Sequence, residues 1–246
     1  MKINSIEFSI WYKELTFNPI DKINDLEQAL TSKFTTPFLV NNREPYVDIA
    51  LPRIVGNNKE NDTLFDMTLI NLCYQRRYHD NVMMQDAIME INENLQYFYD
   101  VLKDIYDVDA LFASIKVDVI FNNNFIDDIA KKYLKGSNDN IEDLVIKEGF
   151  NKDDKYYVNW TISANKEISY NITLPSGAKP NEGDMFSRSM ITSLKNARVG
   201  SSNKNICLEI NDRLSYNNDD TYRLDKEKIR DLIYEFKLLF EQIDKY

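Results

Sequence analysis

The sequence predicts an α+β fold: a mainly antiparallel sheet with long amphipathic helices packed on one of its faces. Three observations carry this. Apolar residues alternate with polar ones in several short stretches, the period-2 signature of strands with one buried face. Two longer stretches place apolar residues at spacings of three and four, as amphipathic helices do. Glycine and proline number only 6 each against 15 Tyr and 13 Phe, which favours long regular elements over a loop-built chain.

In order, Ile6, Phe8, Ile10 and Tyr12 alternate with Glu7, Ser9, Trp11 and Lys13, a first strand. Pro19 and Asp21 open a short helix with Ile23, Leu26 and Leu30 on one side. Val47, Ile49 and Leu51 mark a strand, a polar turn is expected at Gly56-Asn57-Asn58, and Phe65, Met67 and Leu69 mark a longer strand. Met84, Ala87, Ile88, Ile91, Leu95, Phe98, Leu102 and Ile105 then form the stripe of a long helix whose opposite side carries Asp86, Glu90, Glu93, Asp100 and Asp104.

The second half opens like the first. Ser114-Ile115-Lys116-Val117-Asp118-Val119 repeats the pattern of Ser5-Ile6-Glu7-Phe8-Ser9-Ile10, and Ile126-Asp127-Asp128-Ile129 matches Ile20-Asp21-Lys22-Ile23. A hairpin follows, with a three-residue loop at Asn165-Lys166-Glu167 that brings Val158, Trp160 and Ile162 onto the same face as Ile168, Tyr170, Ile172 and Leu174. Residues 175–204 read as a long loop with a short helix at 190–194. Ile206, Leu208 and Ile210 make the last strand, and Ile229, Leu232, Ile233, Phe236, Phe240 and Ile243 the closing helix. The shared order β-α-β-β-(β)-α, read twice, predicts an internal duplication, with halves at 1–110 and 111–246 that can form one continuous domain.

Chemistry is sparse. No glycine falls in a phosphate-loop or dinucleotide-binding spacing, and the single histidine, His79, removes His-pair metal sites. Cys73 and Cys207 sit in apolar stretches and read as free thiols. Cys73 lies six positions before His79 on one strand, about 20 Å away when extended, too far for a Cys–His pair. Glu209, Asp212 and Asp118, with Lys116, are the residue types of a magnesium-dependent nuclease, but the tight Asp…Glu-x-Lys ordering is missing and a solvated face explains them. Asn122-Asn123-Asn124 and Asn217-Asn218-Asp219-Asp220 lack the spacing of a calcium loop and read as turns and caps. Neither a metal nor a cofactor is expected.

The net charge of −10 disfavours direct binding to nucleic acid or anionic membrane, and Arg76-Arg77-Tyr78-His79 is the nearest approach to a basic patch. Met1 to Ser5 lacks a signal-peptide apolar core and no run approaches a membrane span, so a cytoplasmic protein is expected and the sequons at Asn61, Asn159 and Asn171 read as chance matches.

The stretch Ile206-Cys207-Leu208-Glu209-Ile210-Asn211-Asp212, a polar loop, and the helix ending Leu238-Leu239-Phe240-Glu241-Gln242-Ile243 resembles the ending of a sporadically distributed, uncharacterised family of bacterial proteins of about this length. That family carries an aspartate where this chain has Glu209. The resemblance implies a bacterial or phage origin of the mobile-element or defence-associated kind, and it assigns no site residues.

The functional expectation is a non-enzymatic protein that binds another protein or itself. Two alternatives stand beside it: an acidic inhibitor imitating nucleic acid, and a metal-dependent hydrolase or nuclease. The expected contact segment is 175–204, with Met185, Phe186 and Met190 as apolar contacts and Arg188, Lys195 and Arg198 as charged ones.

Overall fold

The first strand, β1 (Lys2–Tyr12), lies near the middle of a nine-stranded antiparallel sheet of order β2-β3-β4-β5-β1-β6-β9-β8-β7. The computed structural model describes residues 2–41, 48–120, 143–169 and 198–244. The remaining strands are β2 (Thr35–Val40), β3 (Ile54–Asn58), β4 (Thr63–Met67), β5 (Asn71–Arg77), β6 (Ala110–Ile120), β7 (Asp143–Lys152), β8 (Tyr156–Ser169) and β9 (Arg198–Asn211). Four α-helices are described: α1 (Ile23–Leu30), α2 (Met84–Val101), α3 (Arg213–Asn218) and α4 (Lys226–Asp244). The fold is therefore α+β, as the alternation and helical periods predict. None of the described helices is long and apolar enough to cross a membrane.

Packing groups the chain into two compact units, residues 1–120, 146–161 and 206–246 in one, and 121–145 and 162–205 in the other. The described residues of the second unit, 143–145, 162–169 and 198–205, are all strand.

In the first unit, alternation along each strand sends one set of side chains under the helices. Ile6, Phe8 and Ile10 of β1 and Ile115 and Val117 of β6 are fully buried, as are Leu208 and Ile210 of β9. Phe98 of α2 reaches down to this layer, its ring centroid 5.9 Å from Phe8, 5.8 Å from Phe65 and 5.8 Å from Tyr74. Phe34 closes the cluster at 4.8 Å from Phe65. Offset and edge-to-face pairs of this kind add to the apolar burial itself. Tyr97 donates to the Ala29 carbonyl at 2.5 Å, tying α1 to α2 over the same face. In α4, Ile229, Leu232, Phe236 and Phe240 supply the buried stripe that their spacing predicts.

Several element boundaries differ from the sequence reading. Gly56-Asn57-Asn58 is strand rather than turn, and the turn is Lys59–Asp62, where Asp62 takes the left-handed conformation at φ 46°. Gly56 is there for packing: a Cβ would lie 2.0 Å from Cε1 of Phe65. Ile49 and Leu51 fall in a turn, and Val47 lies outside the described residues. The long strand expected through Leu69 folds back at Thr68, whose Oγ1 accepts from the Ile70 and Asn71 amides and starts β5.

The hairpin loop expected at 165–167 is also displaced. β8 runs unbroken to Ser169, and the chain instead turns at Asp153 and Asp154, both left-handed at φ 55° and 53°. Aspartate tolerates that conformation through local hydrogen bonding, and the Asn-Lys-Asp-Asp-Lys run carries this signal. Residues 198–204, expected as loop, are strand in β9. The helix expected from Ile126, the one at 190–194, and Tyr170, Ile172 and Leu174 lie outside the described residues.

The middle of the sheet is formed by β1 and β6 in antiparallel register, with Glu7 opposite Lys116, Ser5 opposite Asp118 and Ser9 opposite Ser114. Outward from this pair the order is β5, β4, β3, β2 on one side and β9, β8, β7 on the other.

Candidate functional site

The residues that alternate with the buried set line the opposite face of the sheet. On β1 they are Ser5, Glu7, Ser9 and Trp11, and on β6 they are Phe112, Ser114, Lys116 and Asp118. Cys73 of β5 stands opposite Ser9, and Asp66 of β4 opposite Cys73. Among the described helices, α3 meets this face, with the Tyr216 ring tilted against Phe112 at 5.8 Å and the Arg213 guanidinium 5.8 Å over the same ring.

Three zones follow one another across this face. At the edge, Leu39 of β2 stands opposite Val55 of β3, and Leu64 of β4 is its diagonal neighbour, with Leu39 65% and Leu64 38% exposed. In the centre, Lys116 Nζ lies 3.6 Å from Glu7 Oε2, and Ser5 Oγ donates to Asp118 Oδ2 at 3.0 Å. The third zone is aromatic: Trp11 stacks on Phe112 at 5.6 Å, and Phe112 carries Tyr216.

The central groups are arranged against reactivity. Both cysteines are free and half-buried, less enclosed than their apolar surroundings in sequence suggest. Burial and then Glu7 push the Cys73 thiol up to about 12, while burial and the Asp118 carboxylate it faces push Cys207 up to about 12. A thiol held this high is a poor nucleophile at neutral pH. Burial, with Glu7 adding to it, raises the Asp66 carboxyl.

Asp118, Glu209 and Lys116 belong to neighbouring strands, and Cys207 senses all three charges. Asp212 does not join them. It is 1% exposed and accepts from the Ala113 amide and the Tyr222 hydroxyl, whereas Glu209 Oε1 accepts from Asn211 Nδ2 at 3.3 Å. Among the described residues no three His, Cys, Asp or Glu side chains are grouped to hold a metal ion. His79 is largely exposed, with Nε2 3.1 Å from Asp62 Oδ2, beyond the end of β5.

A groove lies on the helix side, between α2 and the β4–β5 hairpin. This groove of about 450 Å³ has Phe34, Thr63 and Tyr74 among its lining residues, with Lys33, Arg76 and Glu90. Glu90 is its hub. Its carboxylate accepts from Tyr74 Oη at 3.0 Å, Arg76 Nη1 at 2.7 Å and Tyr78 Oη at 2.9 Å. Burial and the Glu90 charge hold both phenols well above their ordinary value. Lys33 is also committed, donating to Asn94 Oδ1 at 2.8 Å and lying 5.0 Å from the Tyr97 ring centroid. Arg76 and Tyr78, from the nearest approach to a basic patch in the sequence, are thus part of the packing of α2.

Of the contact residues expected from the sequence, Met185, Phe186, Arg188, Met190 and Lys195 lie outside the described residues, and Arg198 opens β9 instead of ending a loop. The face that carries Trp11 and Phe112 and the Glu90 hub were not singled out in sequence. The polar half of the β1 alternation carried a signal for the first, since Ser5, Glu7, Ser9 and Trp11 had to face away from the core. The hub had no comparable signal, because Glu90 is one of five acidic residues on the polar side of one helix. The chain matches no family model, and no curated protein matches it at significant similarity.

Proposed function

We propose that this chain is a non-enzymatic protein-binding component and that its contact surface is the face of the sheet opposite α2 and α4. The observation that carries the reading is the one-sided packing. Helices bury one face, while the other presents Leu39, Val55 and Leu64 at its edge and the Trp11–Phe112–Tyr216 stack beyond its centre. The exposed Leu39 and Leu64 and the half-buried aromatic group gain free energy when a partner removes them from water. The central charges are paired with each other, so they set register with a partner without needing a ligand. The resemblance of the C-terminal stretch is what suggests a bacterial defence, counter-defence or mobile-element setting for it. The strand orders on the two sides of β1–β6 support descent from a duplicated unit.

The test is capture of a partner from the native host, followed by a binding isotherm with the purified partner. Leu39→Lys combined with Leu64→Lys changes two exposed side chains and leaves the core intact. At least tenfold weaker binding is expected, about 1.4 kcal/mol. Light scattering on the chain alone separates self-association from binding another protein. Unchanged affinity in a folded double variant overturns the surface assignment. Turnover of a nucleic acid or nucleotide by a chain that recovers no partner overturns the binding reading.

A further inference from the structure

The apolar edge of the contact surface carries one charge that no described part of the chain meets. Asp66 of β4 stands between Val55 of β3 and Cys73 of β5 in the strand register. Leu39 lies beyond Val55, and Leu64 is the preceding residue on the same side of β4. The Asp66 carboxyl is half-buried in this setting, and among the described residues it has neither a hydrogen bond nor an ion pair.

The cations nearby are held elsewhere. Lys116 Nζ lies 3.6 Å from Glu7 Oε2, and the Arg213 guanidinium rests over Phe112. Arg53, two residues before Val55, is fully buried with Nη2 on the Asp48 carbonyl at 3.1 Å. Arg77 stands opposite Ser5, four residues along β5 from Cys73, which is about 14 Å of extended strand. The charge that Asp66 does sense is of its own sign: burial, with Glu7 adding to it, raises its carboxyl.

Covering this surface strips the remaining water from Asp66. A carboxylate buried without a partner is strongly unfavourable, so whatever covers it has to bring a donor. A neutral donor relieves only part of that cost, because hydrogen bonds between charged groups are roughly twice as strong. A guanidinium suits the place better than an ammonium. It is more weakly hydrated, and it offers two parallel N–H groups to one carboxylate.

We propose that Asp66 is the specificity-determining residue of the contact surface and that the partner protein seats an arginine on it, beside Leu39 and Leu64. This inference rests on the reading of that surface as the contact face. Leu39, Val55 and Leu64 take the apolar side chains that flank the arginine. A protein with an acidic or apolar residue at that place is rejected, because docking it leaves the Asp66 charge buried and unpaired.

A partner-free probe tests the charge by itself. When extended, the peptide acetyl-Leu-Gly-Arg-Gly-Leu-amide sends both leucines and the arginine to one side, and the same peptide with citrulline for arginine keeps the shape without the charge. Titration is followed by NMR on the methyl groups of Leu39, Val55 and Leu64. The arginine peptide is expected to bind about threefold more tightly than the citrulline peptide in the wild type, and equally in Asp66→Asn. Equal affinities in the wild type, or the same preference in Asp66→Asn, overturn the arginine site. With the purified partner, Asp66→Asn is expected to weaken binding roughly tenfold. Unchanged affinity in Asp66→Asn, with binding still lost in Leu39→Lys combined with Leu64→Lys, overturns the arginine site and leaves the surface standing. Unchanged affinity in both variants overturns the surface as well.

Discussion

Replacing Glu90 with alanine removes one carboxylate and leaves three donors without their acceptor. Tyr74 is 3% and Tyr78 7% exposed, so their hydroxyls have little access to water as a substitute. Leaving a buried donor unpaired costs about 1–3 kcal/mol, and a bond to a charged acceptor is worth about 1.5–3 kcal/mol. Two such phenols give about 3 kcal/mol. Arg76 adds less, because its side chain is 29% exposed and water screens its pairing with Glu90. The expected loss in Glu90→Ala is therefore about 3–4 kcal/mol. Glu90→Gln keeps one acceptor oxygen and is expected to lose about half as much. The assay is urea unfolding followed by circular dichroism, with Tyr74→Phe completing a double-mutant cycle. A coupling of about 1–2 kcal/mol between positions 74 and 90 is expected. A loss below 1 kcal/mol in Glu90→Ala, or strict additivity with Tyr74→Phe, would refute the hub.

Two further predictions concern close packing and the thiols. Gly56→Ala drives a methyl group against the fully buried Phe65 ring and is expected to cost about 1–3 kcal/mol, read from the shift of the urea midpoint; a neutral result would mean that β3 shifts to make room. With Cys73 and Cys207 both held near 12, alkylation by iodoacetamide at pH 8 is expected to be at least tenfold slower than for a free cysteine, and labelling at the free rate in the folded chain would show that the thiols are not held back as described.

The sequence by itself determined the class of the fold and the composition of its core. Alternation in Ile6, Phe8 and Ile10, and again in Ile206, Leu208 and Ile210, has one physical outcome when one side of a strand is buried. The stripes from Ala87 to Leu102 and from Ile229 to Phe240 are equally unambiguous, because a helix that long has only one way to bury them. Turns were less legible. Gly56 looked like a turn residue and proved to be a strand residue facing Phe65, since a missing side chain serves either purpose and only the neighbour decides. Asp153 and Asp154 make the turn between β7 and β8, whereas the hairpin loop expected at Asn165-Lys166-Glu167 is strand.

What only the tertiary structure decided was the pairing of distant groups. Glu90 meets Tyr74 and Tyr78 because α2 packs on β1, the neighbour of β5, and Asp212 meets Ala113 because β9 is the neighbour of β6. Strand order is not written in the local period of any strand, and a carboxylate on a polar stripe looks the same whether it meets water or three donors. Periodicity says which way a side chain points. What it points at depends on the neighbour that long-range packing brings to it.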